Sequence, residues 1–162
     1  MLIYLGKLCN DRGVTDPTYL AKAEKVLQNA IARSPLRPEG YQELGITYLL
    51  RGEGERGLQL FRKALDLNVH NPRAFWVLGL ALSSQKQFEE GIAYLETAMS
   101  GGYNWDNPAD IGNLSWVYSS MNRTDRLVRL YEMVVERHPE NVGYRNTLTR
   151  AQGMMGKEME RK

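Results

Sequence analysis

The chain has 162 residues, of which 43% are hydrophobic and 25% are charged, a composition typical of a soluble globular protein. Lysine and arginine number 21 against 19 aspartates and glutamates, and this near balance gives no support for a nucleic-acid or anionic-membrane partner. No apolar run approaches the roughly 18 residues that a membrane-spanning helix needs, so we expect a soluble protein, cytoplasmic by default unless it is tethered to a membrane protein.

Apolar residues recur at helical spacing along the chain and predict nine helices. Pro38, Pro72 and Pro108 lie at predicted helix starts, where proline is tolerated because the first N–H groups of a helix have no acceptor within it. Asn71 and Asn107 directly precede two of these prolines and are suitable N-caps. The predicted helices cover residues 2–10, 17–33, 38–51, 54–67, 72–85, 88–99, 107–121, 124–137 and 141–158.

A period of 34 residues runs through the middle of the chain. It separates Gly45 from Gly79 and Gly57 from Gly91, and this is the period of a two-helix solenoid repeat. The second unit has Tyr41, Leu44, Gly45, Tyr48, Gly57, Phe61 and Ala64, and the third has Phe75, Leu78, Gly79, Leu82, Gly91, Leu95 and Ala98. In this pattern the chain resembles the tetratricopeptide repeat family.

The resemblance implies an all-α fold, a right-handed α-solenoid of antiparallel helix pairs that forms a single array over residues 1–162. The fourth unit is displaced by two residues, and Gly6 fits the first unit only if about five residues are inserted after Gly13. Gly45 is expected to face Ala64 at a close contact between two helices. The four units cover about 2–35, 38–69, 72–105 and 108–140, followed by a capping helix at 141–158.

In this family the concave groove, lined by the first helix of each unit, is the expected binding surface. The resemblance therefore implies a non-catalytic scaffold that binds a protein or peptide there, with no cofactor, and self-association is a further possibility. The expected groove residues are Glu39, Gln42, Glu43, Ile46, Leu49, Arg73, Trp76, Val77, Leu80, Ser83, Asn113, Trp116, Ser119, Asn146 and Arg150.

Two tryptophans of the groove set, Trp76 and Trp116, lie outside the family's aromatic positions. Either they anchor a partner, since tryptophan is enriched at binding hot spots, or they pack against the neighbouring unit. If Trp76 is an anchor, its replacement by alanine should weaken binding and leave the fold intact. Tyr103 and Trp105 follow Gly101 and Gly102 in the linker before the fourth unit, and we expect them to pack between units, the alternative being exposure to a partner.

The sequence contains no pattern that predicts catalysis. His70 and His138 lie in turns 68 residues apart, and neither has a cysteine or histidine companion at metal-ligand spacing. No phosphate-binding loop, nucleophile elbow or zinc motif is present, so we expect that the chain is not an enzyme and has no metal site. One family subtype clamps peptide carboxylates with lysines, but Gln42 and Ile46 stand where that clamp would begin.

A second hypothesis of function differs in kind. The linker at 100–105 and the segment at 131–141 are similar to soluble repeat tails of bacterial membrane glycan polymerases and O-antigen-ligase-type proteins. On that hypothesis the chain is a regulatory or assembly domain of an enzyme whose catalytic part lies elsewhere.

Overall fold

A computed structural model describes residues 1–160, which form nine α-helices and no strand. The predicted all-α class is confirmed, and α1 continues three residues beyond its predicted end at residue 10. The helices are α1 (Leu2–Gly13), α2 (Thr18–Arg33), α3 (Pro38–Leu50), α4 (Gly54–Leu67), α5 (Pro72–Ser84), α6 (Phe88–Ser100), α7 (Pro108–Ser120), α8 (Thr124–Arg137) and α9 (Val142–Met159).

The chain divides into two compact bodies, an N-terminal body that ends at Tyr103 and a C-terminal body that begins at Asn104. In the N-terminal body α1 pairs with α2, α3 with α4 and α5 with α6, while α2 and α4 each also pack on the first helix of the next pair. In the C-terminal body α8 packs against both α7 and α9. A single array over the whole chain stays a prediction.

Glycines set the closest approach of the helices within a pair. A Cβ atom on Gly45 would lie 2.9 Å from a ring carbon of Phe61 and 3.2 Å from the carbonyl oxygen of Gly57. Gly45 is at a close contact between two helices, as predicted, but the predicted partner Ala64 was wrong, because Phe61 and Gly57 are the nearest neighbours. The burial of large side chains around this contact compensates for the free-energy cost of a glycine inside a helix.

The same contact recurs in the first pair and explains its irregular sequence. A Cβ on Gly6 would lie 2.4 Å from a methyl carbon of Leu27, and Leu27 precedes Phe61 by one 34-residue period. Gly6 is 21 residues before Leu27, whereas Gly45 is 16 residues before Phe61. The five extra residues predicted for the first unit are thus confirmed between Gly6 and Leu27, but most of them lengthen α1 and α2, since the linker between these helices has four residues.

In the α7–α8 pair a hydrogen bond replaces the glycine contact. Ser115 lies 16 residues before Tyr131, the spacing at which Gly45 precedes Phe61. The Ser115 hydroxyl and the Tyr131 hydroxyl lie 3.0 Å apart and are hydrogen bonded. This degenerate pair therefore has a hydrogen bond between its helices at the position where the other pairs have a glycine contact, and its two helices are less closely packed.

The linkers between pairs differ at one point. Three of them have four residues, at 34–37, 68–71 and 138–141, whereas the linker at 101–107 has seven. This linker is three residues longer than the others, and α6, with 13 residues, is one residue shorter than α4, with 14. The fourth unit is therefore displaced by two residues, as the sequence predicts. The longer linker carries the two aromatic residues Tyr103 and Trp105.

Candidate partner-binding face

The first helices of the N-terminal body lie side by side, since α3 packs against both α1 and α5. The predicted groove residues on α3 differ in exposure. Glu39 is exposed and lies 3.7 Å from the guanidinium of Arg37, and Ile46 is half-buried against the core between α4 and α5. Gln42 and Glu43 are each only 8% exposed, so these two polar side chains of α3 are buried.

A buried polar cluster joins α1 to α3. The side-chain amide of Asn10 donates to the Glu43 carbonyl oxygen at 2.9 Å and to the Glu43 carboxylate at 3.4 Å. Thr47, fully buried, donates to the Asn10 side-chain oxygen at 2.8 Å. Sequence reasoning missed Asn10 and Thr47 as members of this face, although an asparagine on the buried side of a helix is an indication of such a bond.

Burial raises the pKa of the Glu43 carboxyl above its ordinary value, because the charged form loses hydration. The Asn10 hydrogen bond and the nearby charges of Lys7 and Arg73 oppose this rise in pKa, and the charge of Asp11 adds to it. A carboxyl whose pKa is raised in the folded state stabilises the fold most while it is protonated in both states. That contribution is complete below the pKa of the unfolded chain and is lost as the pH rises through the folded-state pKa.

We expect Glu43→Gln to raise the free energy of unfolding at pH 7 on the order of 1 kcal/mol, because it removes a buried charge and keeps an acceptor for Asn10. The gain should shrink as the pH falls toward 4, where the wild-type carboxyl is protonated. Urea unfolding at several pH values measures it, with the exposed Glu39→Gln as control. A gain that stays constant from pH 4 to pH 7 contradicts the burial argument.

Gln42 carries an unsatisfied donor. Its side-chain nitrogen is buried and has no hydrogen-bond acceptor among residues 1–160. A buried donor left unpaired costs about 1–3 kcal/mol relative to a paired one. A ligand oxygen that reached this nitrogen would recover part of that free energy.

The predicted groove residues on α5 also differ in exposure. Arg73 is exposed, Leu80 is half-buried, and Trp76 is only 2% exposed. The indole of Trp76 stacks on the ring of Tyr103, with centroids 4.6 Å apart and planes at 21°. Of the two alternatives for Trp76, the structure therefore shows packing, and the packing partner comes from the long linker.

The end of α6 fixes the position of Tyr103. Gly102 has a φ of 88°, a left-handed conformation that glycine adopts without a side-chain clash. The Tyr103 amide then donates to the Ala98 carbonyl oxygen at 2.9 Å, which closes the last turn of the helix. The Gly101-Gly102 pair thus turns the chain so that Tyr103 reaches Trp76.

In the C-terminal body Trp116 is the open aromatic residue. Its side chain is 49% exposed on α7, while Asn113, one turn earlier, is half-buried. Asn146 and Arg150 lie on α9, and both are exposed. Trp116 and Trp76, equivalent candidates in the sequence, therefore differ sharply in accessible surface.

The linker residues after Tyr103 are held by the end of α8. Trp105 is 5% exposed, as the packing alternative predicts, and the Arg137 guanidinium lies 4.8 Å from the indole centroid. The Asp106 carboxylate is hydrogen bonded to His138 Nε2 at 2.9 Å and lies 3.5 Å from Arg137. His138 thus has a structural role in holding the linker.

Among the side chains that the structure describes, which are those of residues 1–157, 159 and 160, no group of three or more His, Cys, Asp or Glu is placed to hold a metal ion. None of the helices in that range is long and apolar enough to cross a membrane. The candidate features for binding are the buried polar side chains on α3, the half-exposed Trp116 on α7 and the exposed basic residues.

Comparison with known proteins places these features in a family context. Residues 72–100 and 111–143 each match a family model described as tetratricopeptide repeat. The mouse protein named tetratricopeptide repeat protein 7B is 23% identical over 138 residues, which cover 76% of this chain and 16% of the mouse protein. The chain thus spans about a sixth of that relative.

Solved structures share the fold at low sequence identity. TTC0263, a tetratricopeptide repeat protein of Thermus thermophilus, superposes with a TM-score of 0.72 over 93% of this chain and 79% of its own, at 22% identity. YrrB, described as having an unusual peptide-binding site, superposes with a TM-score of 0.65 over 88% of this chain and 73% of its own, at 17% identity. Neither the mouse protein nor these two solved structures is named as a glycan polymerase or ligase, so the hypothesis of a repeat tail of such an enzyme stays a prediction.

Proposed function

The chain carries tetratricopeptide repeats, and on this premise we propose that it is a non-catalytic scaffold that binds a peptide or a helix of another protein on the face of its first helices. Repeats of this kind expose an extended surface, because each pair of helices contacts only its neighbours. The ligand that such a surface recognises is a segment of polypeptide, and the site residues would be the exposed members of the set predicted from the repeat register, without Trp76.

The half-exposed side chain of Trp116 carries the proposal. It lies on α7, the first helix of its pair, and about half of a large aromatic side chain is open there. An exposed tryptophan provides much apolar area at small entropic cost, which explains why tryptophan is enriched among residues that dominate binding energy. Trp116 is therefore the residue we expect a partner to cover.

Two features of the N-terminal body support a polypeptide ligand. The buried Gln42 nitrogen, which lacks an acceptor among the described residues, would pair with a carbonyl or carboxylate oxygen of a peptide. Exposed Arg73 would attract an acidic side chain, and exposed Glu39 a basic one.

We expect Trp116→Ala to weaken binding of a partner by about 2 kcal/mol or more, roughly a thirtyfold rise in Kd, because the side chain would be buried at the interface. The partner is first captured from the native host with the wild-type chain as bait and identified by mass spectrometry. Isothermal titration of the purified pair then measures Kd for wild type and variant, and circular dichroism checks the fold.

Met133→Ala is the matched control. Met133 is 38% exposed on α8, a second helix, so its removal changes exposed apolar area away from the proposed face. Binding should be unchanged in this variant. A partner that binds Trp116→Ala as tightly as wild type would place the interaction on another surface.

A further inference from the structure

A second surface lies on α1, away from the residues proposed above. Tyr4 is 68% exposed, Leu5 45% and Leu8 42%, and their spacing places them on one side of the helix. Arg12, also exposed, follows Leu8 by one turn on the same side. We call these four residues the α1 face. Three large apolar side chains on one short helix form a patch of the kind that marks interaction sites.

The equivalent face of α3 shows what such a surface binds inside this chain. The register fixed by Gly6 and Gly45 makes Leu5 equivalent to Leu44 and Arg12 equivalent to Arg51. Leu44 is only 4% exposed, because it packs in one core cluster with Ala23 and Leu27 of α2. On α3, therefore, α2 covers Leu44, whereas Glu43 and Thr47, the residues equivalent to Tyr4 and Leu8, are hydrogen bonded to Asn10 of α1.

The contact between α2 and α3 also has a defined direction. The Arg51 guanidinium forms an ion pair with Glu24 of α2 at 2.5 Å. At the other end, a Cβ on Gly40 would lie 3.1 Å from Ile31. The two helices are thus antiparallel, with a carboxylate near the start of the covering helix opposite the arginine.

The arrangement recurs on α5, which α4 covers. Leu78, one period after Leu44, is fully buried in a cluster with Leu58 of α4. In both α3 and α5, the leucine at this position is thus covered by the second helix of the preceding pair. The α1 face has the same leucine and the same arginine, and its apolar side chains remain exposed.

We propose that the α1 face binds an amphipathic helix of another protein in the way that α2 packs on α3. The partner helix packs apolar residues at positions i, i+3 and i+7 against Leu5, and a carboxylate in its first half pairs with Arg12. A second copy of this chain fits less well. In a pair of antiparallel α1 helices, Arg12 of one helix would lie near the N-terminal end of the other. That end has no carboxylate, because the acidic residue of α1, Asp11, lies near the C-terminal end.

The chain's own α2 provides the probe. A fluorescein-labelled peptide of residues 17–35 contains Glu24, Leu27 and Ile31, the side that packs on α3. A hydrocarbon staple between positions 25 and 29, both exposed in α2, keeps the peptide helical without touching that side. Fluorescence anisotropy with the full chain should show saturable binding with one site.

Three variants test the geometry. Leu5→Asp should weaken peptide binding by about tenfold or more, because a carboxylate replaces the central apolar contact. Arg12→Glu should weaken it by about threefold, and the peptide with Glu24→Lys should regain that loss. Leu36→Asp, at an apolar residue that is 78% exposed in the linker after α2, should have no effect.

The outcomes separate this proposal from its alternatives. Absence of binding by the stapled peptide, or binding that is indifferent to both Leu5→Asp and Arg12→Glu, overturns it. Concentration-dependent self-association in sedimentation that Leu5→Asp abolishes, without peptide binding, would overturn it in favour of a second copy as the occupant. Peptide binding should be the same in Trp116→Ala, so the result does not depend on the function proposed above.

Discussion

Trp76→Ala is expected to lower the free energy of unfolding of the N-terminal body by about 3–5 kcal/mol, the range found when a fully buried large aromatic residue is truncated. Trp76 is 2% exposed, and its ring stacks on Tyr103. Alanine would leave a cavity lined by that ring and remove the aromatic contact. Urea unfolding followed by circular dichroism in the far ultraviolet measures the loss.

Trp116→Ala is the matched control, since it removes the same side chain from a position that is 49% exposed. Its effect on stability should be within about 1 kcal/mol, because surface substitutions away from buried networks change stability little. The sequence-based hypothesis predicted that Trp76→Ala leaves the fold intact. Equal stability of the two variants would support that hypothesis and contradict the packing of Trp76 described here.

The repeat period made most of the helices predictable from the sequence. A spacing of 34 residues between equivalent glycines fixes the pairing of the helices, because two backbones can approach this closely only at small residues. The five-residue insertion in the first unit and the two-residue shift before the fourth were also visible, since each interrupts the period. The identity of the residue facing Gly45 was not, because a spacing does not tell which side chain of the opposite helix covers the gap.

The binding face was less predictable, for a physical reason that Trp76 makes plain. Helical spacing placed Trp76 and Trp116 on comparable sides of their helices, but exposure depends on what else reaches that side. Tyr103 reaches Trp76 from an irregular linker, and no periodicity describes an irregular linker. Likewise, Asn10 and Glu43 are 33 residues apart, and their hydrogen bonds depend on the packing of α1 against α3.

Gly79→Ala is expected to lower the free energy of unfolding by about 2 kcal/mol, although alanine is the better helix former by about 1 kcal/mol. A Cβ at this position would lie 2.8 Å from the carbonyl oxygen of Gly91 and 3.0 Å from the backbone nitrogen of Leu95. Both atoms belong to the backbone of α6, so a rotamer change cannot relieve the clash. Helices α5 and α6 would have to separate, and their packing would loosen along the contact.

Gly153→Ala gives the opposite sign and makes the test decisive. Gly153 lies within α9, and no atom outside the helix lies within 4 Å of the position that its Cβ would take. Only the difference in helix propensity then remains, so this variant should gain up to about 1 kcal/mol. Denaturant midpoints of the two alanine variants should therefore move in opposite directions from wild type. A Gly79→Ala midpoint at or above that of wild type would show that α5 and α6 are not in close contact at Gly79.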